Sequence, residues 1–265
     1  MDLGIEGRIA LVTGADSGIG KATVATLLAE GSIVVATAPE QEHLDEVVTE
    51  FGAPAGRLWG WAADVRSTEA VRALRDQVHR EVGQVDIVVQ SAGVTGAQGP
   101  FDELSEQDWQ RTLDVDLMGP VRVLQAFLPD LRRGWGRLVM LASEDAVQPY
   151  DDELPYCAAK AGILALTKGL SRSYAHEGLL ANTVSPAFIA TPMTDAMMDQ
   201  RAAERGTDRN EAIASFLAEE RPFMELGRRG EAEEVAAVIA FLCSERASFV
   251  NGSNYRVDAG SVATI

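Results

Sequence analysis

Arg8-Ile9-Ala10-Leu11-Val12-Thr13-Gly14-Ala15-Asp16-Ser17-Gly18-Ile19-Gly20 reads as one strand, one turn and the start of one helix. The apolar run Arg8 to Thr13 has the length of a strand, Gly14 stops it, and an Ala-rich helical pattern follows from Ile19 to Glu30. Glycines at 14, 18 and 20 let the backbone turn tightly and lie close to a pyrophosphate. The helix behind them offers unpaired N–H groups and the positive end of its dipole to an anion. The spacing is GxxxGxG, whereas the usual dinucleotide fingerprint is GxGxxG.

Outward from this turn the same rhythm repeats. Ser32 to Thr37, Arg57 to Ala63, Val85 to Val89, Gly136 to Ala142, Leu180 to Val184 and Asn254 to Val257 read as further strands. Helical patterns lie between them at Glu40 to Phe51, Thr68 to Val82, Ser105 to Arg133, Asp152 to Glu177 and Glu231 to Ser244. Strands that alternate with helices pair in parallel through right-handed crossovers. The expected fold class is therefore α/β, a doubly wound parallel sheet of about seven strands with helices on both faces. The polar, helical stretch Ile189 to Pro222 interrupts the rhythm after the sixth strand and is expected to be a substrate lid within a single domain, 1–265.

The chain has 265 residues, long against a prior of ~150 per domain but within the range of one α/β domain. A net charge of −17 argues against nucleic acid and anionic membrane as partners, because both recruit basic patches. The two cysteines, Cys157 and Cys243, show neither metal-ligand spacing nor a disulfide framework. No metal is expected, and a reducing, cytoplasmic setting fits. Met1 to Gly7 lacks a basic segment followed by an apolar one, and no apolar run reaches ~18 residues, so neither an export signal nor a membrane span is expected.

The chemistry is read from Tyr156-Cys157-Ala158-Ala159-Lys160. On a helix over Asp152 to Glu177, Tyr156 and Lys160 share a face, with Cβ atoms about 5–6 Å apart. A fixed ammonium favours phenolate and lowers a pKa otherwise near ~10, which makes the phenol a usable acid/base. Alone, a YxxxK spacing also fits an ordinary helix with a half-buried Tyr and a solvated Lys. The glycine turn, Ser143 at the end of the fifth strand and Pro186 after the sixth raise it above that reading.

Together these motifs resemble the classical short-chain dehydrogenase/reductases, near their 3-oxoacyl-carrier-protein reductase-like branch, over essentially the whole chain. Thr13 to Gly20 is similar to the family's TGxxxGIG, Asp64-Val65 to its adenine-binding Asp and Gln90-Ser91-Ala92-Gly93 to its NNAG strand end. Ser143, Tyr156 and Lys160 match its catalytic set, and Pro186 to Thr191 its PGxxxT segment. The resemblance implies a Rossmann-like fold and an NAD(P)(H)-dependent ketoreductase moving hydride between nicotinamide and a carbonyl or secondary alcohol. Tyr156 is then the acid/base, Lys160 lowers its pKa and binds the nicotinamide ribose, and Ser143 orients the carbonyl. Cofactor contacts are implied at Gly14, Asp16, Ser17, Gly18, Ile19 and Gly20, at Thr37 and Ala38, and at Asp64 and Val65. Ser91, Ala92 and Gly93, then Tyr156 and Lys160, then Pro186, Ala187, Ile189 and Thr191 complete that set. A homotetramer, or a dimer, is implied too, using the small residues Ala158, Ala159, Ala161, Gly162 and Ala165 on the catalytic helix.

Several positions depart from the family pattern. Asp116 stands where the family has a catalytic Asn. Its main-chain carbonyl is retained, but an ionised side chain partly cancels the field of Lys160 at Tyr156. Ala187 replaces the usual Gly after Pro186. At the end of the second strand Ala38 supplies no carboxylate to repel a 2′-phosphate, while Ser17, Ala38 and Pro39 supply no cation to attract one. The reading leans to NADP(H) over NAD(H). Asp64 is expected on the adenine amino group, its alternative role being a cap for the helix near Thr68.

The expected substrate is a small-molecule carbonyl or alcohol. Asp145, Val147, Tyr150, Phe188, Met193 and Met197 join Ser143 and Tyr156 as candidate substrate contacts, although Met at helical spacing, Met198 included, also fits plain core. Glu144, Asp145, Asp151, Asp152 and Glu153 either disfavour a polyanionic carrier or coenzyme A thioester or form a solvated rim. Glu177 stands where carrier-protein reductases commonly have a basic residue. Two other readings stay open: a cofactor-binding protein with weak or regulatory function, and a related lyase or epimerase.

Overall fold

In the computed structural model, which describes residues 2–264, one sheet carries the molecule. Its strands are β1 (Ile9–Thr13), β2 (Ile33–Thr37), β3 (Leu58–Gly60), β4 (Ile87–Gln90), β5 (Gly136–Leu141), β6 (Leu179–Pro186) and a last strand, Asn254–Val257. They lie in the order β3-β2-β1-β4-β5-β6 followed by the last strand, every neighbouring pair parallel. The order reverses between β1 and β4, and the crevice beyond the strand ends at such a switch is where open α/β sheets bind ligands.

Alternate side chains point to opposite faces, and both faces are covered. Ala10 and Val12 of β1, Ile87 and Val89 of β4 and Val139 of β5 pack on one side, against α1 (Gly18–Ala29) and the last helix, Ala232–Cys243. Leu11, Val88, Leu138 and Met140 pack on the other, against α3 (Thr68–Glu81), α5 (Gly119–Leu131) and α6 (Leu154–Tyr174). Phe127 on α5 and Ile163 on α6 are among the largest fully buried side chains of that second face. Burial of each contributes about 1.5–3 kcal/mol. Helix α2 (Gln41–Phe51) flanks β2 and β3 and closes with Gly52 in the left-handed conformation.

Three features differ from the expected elements. Strand β3 is three residues, much shorter than Arg57 to Ala63. The single helix expected over Ser105 to Arg133 is α4 (Glu106–Leu113) and α5, joined by a π-helical turn over Asp114–Met118. Pro120 explains the turn: it has no N–H to give to the carbonyl four residues back, at Asp116, and the Gly119 N–H reaches Asp114 O instead. The Asp116 backbone carbonyl is thereby released from the regular ladder. The stretch 189–222 forms β7 (Ile189–Ala190), α7 (Pro192–Arg205) and α8 (Arg209–Glu220), and β7 pairs with β8 (Gly230–Glu231), a ladder the sequence did not suggest. Phe188, Met198, Phe216 and Met224 make a separate small core beneath these helices. The last strand is β9, the last helix α9.

Candidate active site

A cavity of about 520 Å³ opens over the ends of β1, β4, β5 and β6, between the glycine turn and α7. Its floor is built around close backbone approach. Gly14 and Gly18 have φ of +62° and +50°, and a Cβ on Gly14 would lie 2.7 Å from Ala92 Cα. Gly20 does not line the cavity. A Cβ there would stand 1.9 Å from the Gly14 carbonyl oxygen, so this glycine lets α1 sit on the turn. Ser17, the N-cap of α1, makes no side-chain bond to the first helical N–H groups, which leaves them for an anion. The Thr13 hydroxyl accepts the N–H groups of Ser91 and Ala92, both at 3.2 Å, and donates to Gln90 Oε1 at 3.2 Å, fixing the end of β4 beside the turn.

Thr37, Ala38, Pro39, Asp64, Val65 and Arg66 line the far end. Arg66 was not anticipated, although it follows Asp64-Val65 directly. Its guanidinium grips Asp64 through two nitrogens, with Nη2 2.7 Å from Oδ2, and holds that carboxyl below its usual range. The cap of α3 is Ser67, whose hydroxyl accepts the Ala70 N–H, so Asp64 is not the helix cap. Asp16 also lines the cavity, 3.7 Å from His43 Nδ1. Ile19, Ser91, Ala92, Gly93, Pro186, Ala187, Ile189 and Thr191 complete the wall expected from the sequence. A glycine cradle, a helix N-terminus with free donors and the Asp64 carboxyl at the far end fit a nicotinamide dinucleotide.

Ser143, Tyr156 and Lys160 meet at the near end of this cavity. Lys160 Nζ lies 5.3 Å from the centre of the Tyr156 ring and 3.1 Å from Asp116 Oδ1, and it donates to Leu141 O at 3.4 Å. Asp116 is fully buried on the π turn and also accepts the Val94 N–H at 3.3 Å. Gly93 makes room for this pair, since a Cβ there would lie 2.7 Å from Asp116 Oδ1. Burial raises the Asp116 pKa, against the pull of Lys160.

Tyr156 is half-buried, and its pKa lies well above the ordinary phenol value. Burial is the largest cause, then the negative charges of Asp145 and Asp116, while the Ser143 hydroxyl beside it pulls the other way. The sequence reading expected Lys160 to lower this pKa. The net shift is upward, because burial and the neighbouring acids outweigh that lysine, whose ammonium is also paired with the buried Asp116 carboxyl.

On the substrate side Met193 lines the cavity and is 41% exposed. Phe188 and Met197 pack into the small core under α7 and α8, with the Phe188 and Phe216 rings 4.7 Å apart. Tyr150 is half-buried, its ring covered by the Arg221 guanidinium at 3.7 Å, and Val147 is exposed. The acidic loop divides. Asp151 and Asp152 are exposed, as a solvated rim would be, but Glu144 and Asp145 are only 2% and 5% exposed. Arg221, at the end of α8, explains their burial: its Nε donates to Glu144 Oε1 at 2.7 Å. Among the described residues no cluster of His, Cys, Asp or Glu is arranged to hold a metal, and no helix is long and apolar enough to cross a membrane. Cys157 and Cys243 are buried, unpaired thiols.

A family model described as enoyl-(acyl carrier protein) reductase matches residues 14–262. The D-threitol dehydrogenase of Mycolicibacterium smegmatis is 33% identical, over 98% of this chain and 94% of its own length. A 3-oxoacyl-[acyl-carrier-protein] reductase of Thermotoga maritima is 32% identical, over 97% and 99%. Among solved structures, the L-sorbose reductase from Gluconobacter frateurii complexed with NADPH and L-sorbose superposes with a TM-score of 0.93 at 32% identity, covering all of both chains.

Proposed function

The chain belongs to the short-chain dehydrogenase/reductase family of CH–OH oxidoreductases, and on that footing we propose that it reduces a small uncharged ketone to a secondary alcohol, Tyr156 giving the proton. The observation that carries this reading is the convergence of the Ser143 hydroxyl and the Tyr156 phenol at the mouth of the glycine-floored cavity. When bound, the nicotinamide cofactor supplies the hydride and takes it back in the reverse direction.

The chain's own residues do the rest. The turn at Gly14 to Gly20 and the first N–H groups of α1 hold the pyrophosphate, Asp64 meets the adenine, and Lys160 holds the nicotinamide ribose. Ser143 and Tyr156 present two donors to the carbonyl oxygen, where negative charge develops as the carbonyl carbon is reduced. Because the phenol sits among carboxylates, its proton is retained to high pH, which suits a donor to an alkoxide. Asp116→Asn removes one of those charges, and the uppermost alkaline limb of the kcat/KM profile for reduction, set by Tyr156, is expected to move to lower pH. A profile identical to the parent's would count against the role given to Asp116.

Small, uncharged substrates are favoured because Asp145 and Glu153, when ionised, face the Tyr156 end of the site and repel a nearby anion. Arg132, the basic side chain beside Glu177, is already engaged by it through two bonds of 2.8 Å. The relatives named for a tetritol and a ketose point to hydroxylated ketones as the first compounds to try. NADP(H) is preferred over NAD(H) in this reading, since residue 38 carries no carboxylate and Arg66 is a cation on the cavity wall at the adenosine end. A homotetramer in a reducing cytoplasm completes it, supported by the exposed small residues Ala158, Ala161 and Ala165 on α6. The experiment is oxidation of NADPH and NADH against ketoses, hydroxyketones, diketones and 3-oxoacyl thioesters. Turnover of the first three classes with NADPH supports the proposal; turnover of thioesters alone overturns its substrate class.

A further inference from the structure

We propose that Asp145 is a positioning residue for the catalytic pair, its carboxyl group deciding whether the Ser143 hydroxyl points its proton at the substrate oxygen or away from it. The inference rests on the reading of Tyr156 and Ser143 as the donors to a carbonyl.

The geometry begins in a short turn. Ser143 caps the 3₁₀ turn Glu144–Ala146 and accepts the Asp145 N–H at 3.3 Å, and its hydroxyl also acts on the Asp145 carboxyl. Asp145 is 5% exposed, and its Oδ1 is buried with no hydrogen-bond partner. Arg221 does not satisfy it: this guanidinium is committed to Glu144 and stands 3.9 Å from Asp145 Oδ1, beyond hydrogen-bond range. The Ser143 hydroxyl acts on this carboxyl, so it is a donor that the free oxygen can take.

The groups around it are mostly of one sign. Glu144 shares its turn, Glu153 and Tyr150 face it from the loop before α6, and Tyr156 and Cys157 from α6 itself. Arg221 is the nearby cation, and the Asp116–Lys160 pair lies beyond Tyr156. Burial, then the charge of Glu153, raises the Asp145 pKa to about 7, against Arg221. Among the charges that act on Tyr156, that of Asp145 is the largest.

Two states follow. Neutral Asp145 makes no claim on the Ser143 proton, which is free for the carbonyl oxygen, and it leaves one charge fewer beside Tyr156. Ionised Asp145 accepts the Ser143 O–H, so the carbonyl loses a donor, and it holds the Tyr156 proton more tightly. Both effects slow reduction, so the neutral form is the active one in that direction.

The test is the initial-rate pH profile of kcat/KM for ketone reduction, paired with an infrared titration of the protonated-carboxyl C=O band. The parent is expected to lose about ten-fold between ~pH 6 and ~pH 8, as a single group titrating near ~7 requires, and Asp145→Asn to be flat over that range. Glu144→Gln removes a neighbouring charge and frees Arg221, so it should move the parent limb to lower pH. The infrared band should vanish near pH 7 in the parent and be missing from Asp145→Asn. A flat parent profile, a limb that survives in Asp145→Asn, or a limb unmoved by Glu144→Gln overturns the proposal. If no carbonyl is reduced at all, the functional reading fails, while the infrared titration still decides the state of Asp145.

Discussion

Tyr156→Phe is expected to abolish carbonyl reduction, lowering kcat by about 10³-fold, while cofactor affinity stays within about two-fold of the parent. The change removes one oxygen from a side chain whose ring is already partly packed. The cavity floor, the Lys160–Asp116 pair and the glycine turn are untouched. What disappears is the proton donor, and Ser143 alone then faces the developing alkoxide. Cofactor binding by fluorescence together with single-turnover reduction checks this. A Tyr156→Phe enzyme with more than about a tenth of the parent rate would remove Tyr156 from the chemistry.

Lys160→Met carries the second large effect, and it is a stability effect as much as a catalytic one. Removing one partner of a buried ion pair leaves the other charge uncompensated, at a cost of about 3–5 kcal/mol. Asp116 is fully buried and would keep only the Val94 N–H, at 3.3 Å, among its present partners. For a domain of this size that corresponds to a Tm lower by roughly 10 °C. Activity is expected to fall by about 10³-fold as the ribose contact is lost. The double variant Lys160→Met with Asp116→Asn separates the two consequences, because it should recover most of the Tm and none of the activity. Recovery of activity in the double variant would show that Lys160 is merely structural.

The sheet was legible because its strands alternate with helices, and because strands buried on both faces leave apolar runs such as Ile33-Val34-Val35-Ala36. The cavity was legible through glycines, whose positions answer to steric facts: Gly14 and Gly20 have no room for a Cβ. What escaped depends on contacts distant in sequence. The ladder between Ile189–Ala190 and Gly230–Glu231 is two residues long and has no periodicity to read. The burial of Glu144 and Asp145 depends on Arg221, 77 residues after Glu144, so composition alone leaves the acidic loop open between rim and interior. The π turn hides inside a helical pattern, although Pro120, four residues after Asp116, is the signal that could have placed it. The direction of the Tyr156 shift also escaped, because a lysine four residues away predicts the sign only if nothing else holds that lysine. Here Asp116 does.

These contacts also show how the departure at residue 116 can be accommodated. An Asp in place of Asn converts a polar contact into a buried ion pair, and the acidic surroundings of the phenol keep it protonated at neutral pH.

The most direct test follows the hydride. With NADPH deuterated at the transferable C4 position and a hydroxyketone accepted by the enzyme, the account predicts one deuterium on the carbinol carbon of the product, at a rate that collapses in Tyr156→Phe. Deuterium on any other carbon, or cofactor oxidation without deuterated alcohol, would contradict it.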